Sequence, residues 1–256
     1  MGIKGDKKKM GLVLSGQPLP VEDANIIITQ PKIKDIVLFG EDDFLVAVNL
    51  IVAIKDYADQ IRSGNFELEV YNDFQLLLTM IRGDATVKEL INRLFLLIFP
   101  DYEVQIEESS INFYMEIDEH RMMVGRIHPF NFENFQIVLS DAFIPYNDQE
   151  IEYNPVNDFA QQIADKIKKG REKIAAQRQA KEGEQSVYAR YASILSIGLA
   201  MDINVFFNYT PFQLYDAYKR YFYKVSYDYY MRIKSMPMMD TSSMQDPEEW
   251  TKNLYQ

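Results

Sequence analysis

Apolar and polar residues recur along this chain with two different periods, and the change of period separates helical from extended segments. Between residues 41 and 99, apolar residues recur every three or four positions, which is typical of helices that bury one face. This pattern predicts helices over Glu41–Ile61, Asp73–Met80 and Thr86–Phe99. From Ile111 to Asp118 apolar and polar residues alternate, which predicts a strand with one buried face. The flanking runs Tyr102–Glu107 and Arg121–Ile127 predict its antiparallel neighbours.

The remaining periodic segments complete the predicted fold. Asn25–Thr29 is a β-branched run of strand type, while Asn131–Phe143 and Ser186–Met201 read as helices. We therefore predict an α+β fold that is mostly helical, with a small antiparallel meander in a first domain and a helical, aromatic C-terminal domain. The predicted boundaries are 1–24 for a flexible basic arm, 25–150 for an acidic α+β domain, 151–185 for a basic connecting helix and linker, and 186–256 for the aromatic domain with an irregular tail.

The densest pattern lies near the C-terminus. Twelve of the 25 residues from Phe206 to Tyr230 are aromatic, and eight of them are tyrosine. Thr210 and Gln213 have the spacing of a capping box, and Pro211 lies at the first helical position, so one long helix begins here. A buried stripe is predicted at Tyr215, Tyr218, Phe222, Val225 and Tyr229, and a second apolar set at Leu214, Tyr221, Tyr227 and Tyr230.

So many rings on one helix predict a surface that binds another protein. Aromatic side chains offer a large apolar area at low cost in side-chain entropy, and tyrosine keeps a hydroxyl for water or a partner. The predicted partner-binding residues are Tyr209, Phe212, Tyr215, Tyr218, Phe222, Tyr229 and Trp250. The alternative, that these rings form the core of their own domain, stays open at this point.

Charge and composition exclude several classes of function. The net charge is −11, and residues 1–150 hold 25 acidic against 13 basic residues. A basic stretch at Lys166–Lys181 is surrounded by this acidic chain, which argues against nucleic-acid binding. The chain has no cysteine, which excludes disulfides and thiolate chemistry and fits a reducing cytoplasm. No apolar run approaches the length of about 20 residues needed to cross a bilayer, so we expect neither a membrane segment nor secretion.

The sequence offers little for catalysis. Of its two histidines, His120 falls in a predicted turn and His128 precedes Pro129 at a strand end, and neither has the spacing of a metal site. The glycines form no phosphate-binding loop, and Ser193 and Ser196 have no candidate base nearby. We therefore predict no catalytic residues, no metal and no cofactor, and the third class of function, an enzyme of phage metabolism, would require a convergent polar pocket that the sequence does not indicate.

Two segments resemble a known family. The run from Asn208 to Asp216 reads NYTPFQLYD, and Asp246–Trp250 reads DPEEW. Both resemble the ending of tail assembly chaperones of tailed bacteriophages, which carry a YTxxQLYD helix start and a terminal acidic-Pro-acidic-Trp box. The run from Ile28 to Asp35, ITQPKIKD, is similar to the start of phage tail-module proteins. Together these segments cover about a tenth of the chain.

The resemblance implies a protein that is not an enzyme and that functions in tail morphogenesis. Such chaperones bind the tape measure protein, keep its apolar helices soluble and recruit tail-tube protein in the host cell cytoplasm. We also consider self-association. The alternative is a permanent structural component of the virion, such as a baseplate, tail or neck subunit, in which the same rings would form a fixed subunit interface.

Overall fold

The computed structural model describes residues 6–54, 72–144, 186–236 and Thr251, and within these residues it contains nine α-helices and five strands. The α+β, mostly helical class predicted from the sequence is confirmed. In chain order the elements are α1 (Lys7–Ser15), β1 (Leu19–Val21), β2 (Ile26–Ile28), α2 (Ile33–Phe39), α3 (Glu41–Val52), α4 (Asp73–Gly83), α5 (Ala85–Ile98), β3 (Glu103–Ile106), β4 (Ile111–Ile117), β5 (His120–Ile127), α6 (Phe132–Phe143), α7 (Val187–Leu199), α8 (Ile203–Phe207) and α9 (Pro211–Lys234).

Helices α4 and α5 begin at side-chain caps, because the first backbone N–H groups of a helix have no partner within the helix. Asn72 and Gln75 form a reciprocal capping box at the start of α4. Helix α5 is capped by Asp84, two residues before the predicted helix start at Thr86, and the Asp84 carboxylate accepts the Thr86 N–H at 2.7 Å. Asp84 is therefore the single residue between α4 and α5, and it caps the end of one helix and the start of the next.

The N-terminal segment is part of the folded body. Asp6 caps α1, and Gly16 ends it in the left-handed region at φ +66°. Val13 on α1 and both Leu19 and Val21 on β1 are buried in the core. The prediction of a flexible arm over residues 1–24 is therefore wrong for residues 6–24, because their apolar side chains find tertiary partners that the local lysine content does not reveal.

The strands form two antiparallel sheets, and the predicted meander has the order β3-β4-β5. On one face Arg121 bonds Glu103 (Nε–Oε2 2.8 Å) and lies over the Tyr114 ring at 3.9 Å. The other face is only partly covered, since Ile111 and Phe113 are buried whereas Ile117 is exposed. The prediction of one continuous buried face along β4 is thus correct for its first half only.

The two sheets meet at Gly125 of β5. A Cβ atom at this position would lie 2.4 Å from Cγ2 of Ile26 and 2.7 Å from the carbonyl oxygens of Ala24 and Asn25. Any side chain here would collide with backbone, so the absence of a side chain is what allows the β1–β2 hairpin to lie against β5.

Phenylalanine rings fill the centre of the molecule. Phe99 contacts Phe113 edge to face at 4.8 Å between centroids, and Phe44 contacts Phe143 in the same way at 5.6 Å. The same cluster of buried side chains continues into the C-terminal helices through Leu195 of α7. The predicted boundary between residues 25–150 and 186–256 stays a prediction, although buried residues of both belong to this one core. The predicted connecting helix and linker at 151–185, the irregular tail and Trp250 lie outside the described residues.

Candidate partner-binding surface

Helix α9 starts as the sequence predicts. The Thr210 hydroxyl oxygen accepts the Gln213 N–H at 3.3 Å, and the Gln213 amide oxygen accepts the Thr210 N–H at 2.9 Å, which completes the capping box. The Gln213 amide also donates to the Leu14 carbonyl oxygen at 2.8 Å. Directly before the Thr210 cap, the Tyr209 carbonyl oxygen accepts the Ile33 N–H at 2.8 Å. The first turn of α9 is therefore fastened to the body of the molecule by polar contacts.

The first half of α9 is covered by its own subunit. Phe212 is only 2% exposed, and Leu214 is buried in the same core. Tyr218 is half-buried and stacks on Tyr191 of α7, with 4.1 Å between ring centroids and 15° between ring planes. Further along α7, a Cβ on Gly198 would lie 2.1 Å from the Tyr221 hydroxyl oxygen, so the missing side chain lets α7 and α9 approach closely.

The predicted buried stripe leaves the core after Tyr218. Phe222 is 58% exposed, Val225 is exposed, and Tyr229 is 66% exposed. We call these three residues the open stripe. Their spacing of three and four residues places them on one face of the helix. The prediction that this face is buried throughout is therefore wrong for its second half.

The second apolar set faces the interior more closely than the stripe does. Leu214 and Tyr230 are buried, and Tyr221 and Tyr227 are half-buried. Periodicity identified both sets but did not rank them, because a helix that is apolar on most of its circumference gives no single direction for the core.

Charged side chains on α9 are matched within the helix. Asp216 pairs with Arg220 at 3.0 Å, and Lys224 pairs with Asp228 at 2.8 Å, both four residues apart. The Lys219 ammonium lies 5.9 Å from the ring centroids of Tyr215 and Tyr223. The open stripe itself contains no charged residue.

Two tyrosines of α7 have perturbed ionisation. Burial, and after it the negative charge of Glu41, raises the pKa of the Tyr188 hydroxyl far above its usual range. Burial is also the main reason that the pKa of Tyr191 is raised, with Tyr218 contributing. Glu41 itself accepts hydrogen bonds from the Ser186 hydroxyl and from the Val187 N–H, so it caps α7 from another helix. The raised pKa values keep both phenols protonated at neutral pH.

The predicted partner-binding residues differ in how far they are exposed. The prediction that Phe212 binds a partner is wrong, because its ring is enclosed in the core and is not accessible from the surface. Tyr209 and Tyr215 are half-buried, and Tyr209 packs against the core near Phe206 at 5.5 Å between centroids. In the structure, Phe222 and Tyr229 lie on the same exposed face as Val225. The sequence analysis assigned Val225 to the buried stripe and not to the partner-binding set.

The lengths of α7 and α9 explain why the open stripe is uncovered. The 13 residues of α7 span about 20 Å and the 24 residues of α9 about 36 Å at 1.5 Å per residue. A helix of the length of α7 cannot cover an apolar stripe along the whole of α9. The uncovered remainder therefore lies at the end of α9 remote from its anchored first turn.

Both histidines of the chain lie among the described residues. Within it, no three His, Cys, Asp or Glu side chains lie close enough together to hold a metal ion. His128 accepts the Phe130 N–H through Nδ1 at 3.2 Å, and His120 lies exposed at the start of β5. Across the described helices, none combines the length and apolar character needed to cross a membrane.

Comparisons with protein-family models, with curated proteins and with solved structures found no match for this chain.

Proposed function

We propose that this protein is a non-enzymatic tail assembly chaperone that binds the tape measure protein, and with it tail-tube protein, in the host cell cytoplasm during phage tail morphogenesis. The observation that supports a binding function is the open stripe, where Phe222 and Tyr229 expose more than half of their surface on a rigid helix. The resemblance of residues 208–216 and 246–250 supports the choice of tail assembly.

The geometry favours a helical client. Helix α7 already packs on the same stripe at Tyr218, which makes a helix the kind of element that this surface accommodates. A client helix with apolar residues every three or four positions would continue that packing over Phe222, Val225 and Tyr229. Tape measure proteins are long and helical in the family that the chain resembles, so their apolar faces are suitable clients.

Charge adds a preference to this proposal. From Lys219 to Lys234 the helix holds five basic residues and one acidic residue. A client helix flanked by acidic residues would gain from this balance, mostly in its rate of association and its specificity. The affinity itself would come from the rings, because exposed charges contribute little to binding free energy.

The experiment is co-expression with the tape measure protein encoded by the same phage. We expect the full chain to keep the tape measure protein soluble and to co-purify with it. The double variant Phe222→Ala/Tyr229→Ala should lose this interaction, at a cost of about 2 kcal/mol or more for each true anchor. A matched control is Phe130→Ala, which removes a phenylalanine ring that is 95% exposed on another part of the surface.

The outcomes separate the proposal from its alternative. If the double variant folds and still binds the tape measure protein as the parent chain does, the open stripe is not the binding surface. If the protein is a stoichiometric component of purified particles, it is a permanent virion subunit and not an assembly chaperone. Co-purification from infected cells, followed by mass spectrometry of the bound chains, measures both possibilities.

A further inference from the structure

The open stripe lies close to the point where the chain leaves α9. The stripe begins at Phe222, and the helix ends at Lys234. At 1.5 Å per residue, the whole stripe therefore lies within about 18 Å of the helix end. The sequence continues through residues 237–256, which we call the C-terminal segment. About six residues of extended chain, at about 3.3 Å each, are enough to run back from the helix end to Phe222.

The C-terminal segment has a net charge opposite to that of the second half of α9. It contains four acidic residues and one basic residue, whereas Lys219–Lys234 contains five basic residues and one acidic residue. The four acidic residues are Asp240, Asp246, Glu248 and Glu249. Opposite charges steer two surfaces together and fix their register. The segment therefore satisfies, within the same chain, the preference for an acidic partner that α9 creates.

The C-terminal segment also contains a side chain suited to the apolar part of the contact. Trp250 is the only tryptophan of the chain, and it directly follows the acidic pair Glu248 and Glu249. Tryptophan is enriched among the residues that dominate binding free energy, and its ring packs well on other aromatic rings. Phe222 and Tyr229 present such rings, each more than half exposed.

We infer that the C-terminal segment covers the open stripe of its own chain when no client is bound, with Trp250 packed on Phe222 and Tyr229. Because the segment is joined to α9, the contact is intramolecular, and short connections give effective concentrations in the millimolar range. An intrinsic dissociation constant of about 1 mM is therefore sufficient to cover the stripe in about half of the molecules. A client has to displace the segment. This regulation of client binding rests on the proposed function, whereas the contact itself does not.

The first experiment measures the fluorescence of Trp250 in the full chain without any client. Because the chain has no other tryptophan, the emission maximum and the quenching by acrylamide report on this ring alone. We expect blue-shifted emission and protection from acrylamide in the parent chain. Phe222→Ala/Tyr229→Ala should move both towards the values of a tryptophan in water. Phe130→Ala is the matched control, because it removes a ring that is 95% exposed outside α9 and should leave Trp250 unchanged.

A charge reversal on the segment tests the contact without altering α9. Glu248→Lys/Glu249→Lys places two positive charges beside Trp250, so it should expose the ring as the α9 variant does. Raising the salt concentration from about 50 to 500 mM should also weaken the contact, because salt screens the attraction between opposite charges. The emission should not depend on protein concentration over about 1 to 100 µM, because the contact lies within one chain.

The contact is overturned by two results. One is a Trp250 emission that responds to neither double variant, in proteins shown to be folded by circular dichroism. The other is a protected Trp250 that becomes exposed on dilution, because that result would assign the contact to the segment of a second copy.

Client binding then separates this inference from the proposed function. If the segment covers the stripe in about nine molecules of ten, Trp250→Ala should lower the apparent dissociation constant of the tape measure protein about tenfold. An unchanged constant would show that the segment does not compete with the client. If Trp250 responds to both double variants but the tape measure protein does not bind, the contact stands and the proposed function fails.

Discussion

The two halves of α9 have similar aromatic composition, but only the second half carries rings that are more than half exposed. In the first half, Phe212 is enclosed in the core and Tyr218 stacks on α7. In the second half, Phe222 and Tyr229 are exposed. The difference arises because α1 and α7 pack against the first turns of the helix, while the open stripe extends beyond the reach of α7.

Apolar periodicity along a helix describes only one of the two surfaces that form a contact. A stripe shows that a face is suited to burial, and the neighbouring elements decide whether the face is buried in the subunit or left for another molecule. Here the same stripe is used in both ways along a single helix. Changes at equivalent rings in the two halves should therefore affect different properties of the protein.

The largest effect is expected from Phe212→Ala. Removing a fully buried ring loses its burial and leaves a cavity, which should lower the free energy of unfolding by about 3–5 kcal/mol. Phe222→Ala deletes the same side chain from the open stripe, where the change should stay within about 1 kcal/mol. Urea denaturation of both variants measures the difference. Equal losses of stability would show that the two halves are packed alike and would remove the basis for the open stripe.

Local signals in the sequence account for most of the fold. The capping box at Thr210 and Gln213, the three strands of the meander and the helix starting at Glu41 depend on interactions between residues close in sequence. The exposure of Ile117 near the end of β4 does not, because burial of a strand residue requires another element packed over it. The N-terminal segment was mistaken for an arm for the same reason, since Val13 is buried by residues distant in the chain.

The candidate site was predicted in part. The sequence identified α9, its start and its rings, but it assigned both the buried Phe212 and the exposed Phe222 to the partner-binding set. The close approach of α7 was also hidden, because Gly198 on its own is a weak signal within a helix. Its role appears only when Tyr221 is found against the site of its missing Cβ.

A smaller effect is expected from Gly198→Ala, which tests the close contact between α7 and Tyr221 of α9. The new Cβ would lie 2.1 Å from the Tyr221 hydroxyl oxygen and 2.2 Å from its Cζ atom, so the ring must move. Such overpacking should cost about 1–3 kcal/mol of the free energy of unfolding. Gly11→Ala is the control of opposite sign: no atom lies within 4 Å of its Cβ, so alanine should stabilise α1 by about 0.5–1 kcal/mol.

The Gly198→Ala result can be assigned to Tyr221 by a second substitution. In Tyr221→Ala the obstructing ring is absent, so adding Gly198→Ala should cost little more, and a double-mutant cycle would give a clear coupling between the two sites. Additive losses would mean that Gly198 matters for a reason other than its contact with α9.

The stacked pair at the junction of the two halves should contribute less. Tyr191 and Tyr218 lie 4.1 Å apart between centroids, and ring pairs of this kind contribute about 0.5–1.5 kcal/mol beyond the area they bury. A double-mutant cycle of Tyr191→Ala and Tyr218→Ala, measured by thermal or urea unfolding, gives this coupling. A coupling of zero would place the end of the packed half before Tyr218 rather than after it.

The smallest effect concerns alkaline pH and the buried end of α7. Burial and Glu41 raise the pKa of Tyr188 in the folded protein, so the folded state keeps this proton after the unfolded chain begins to lose it near pH 10. The contribution of Tyr188 to stability is therefore complete below about pH 10 and falls as the pH rises further. Among the described residues its hydroxyl has no hydrogen-bond partner, so Tyr188→Phe should fold normally at neutral pH. Its free energy of unfolding should decline less steeply between about pH 9 and 11 than that of the parent chain. Tyr229→Phe, which removes a phenol from the open stripe, corrects for the loss of one tyrosine, and a Tyr188→Phe profile identical to this control would show that α7 is not sealed against water at Tyr188.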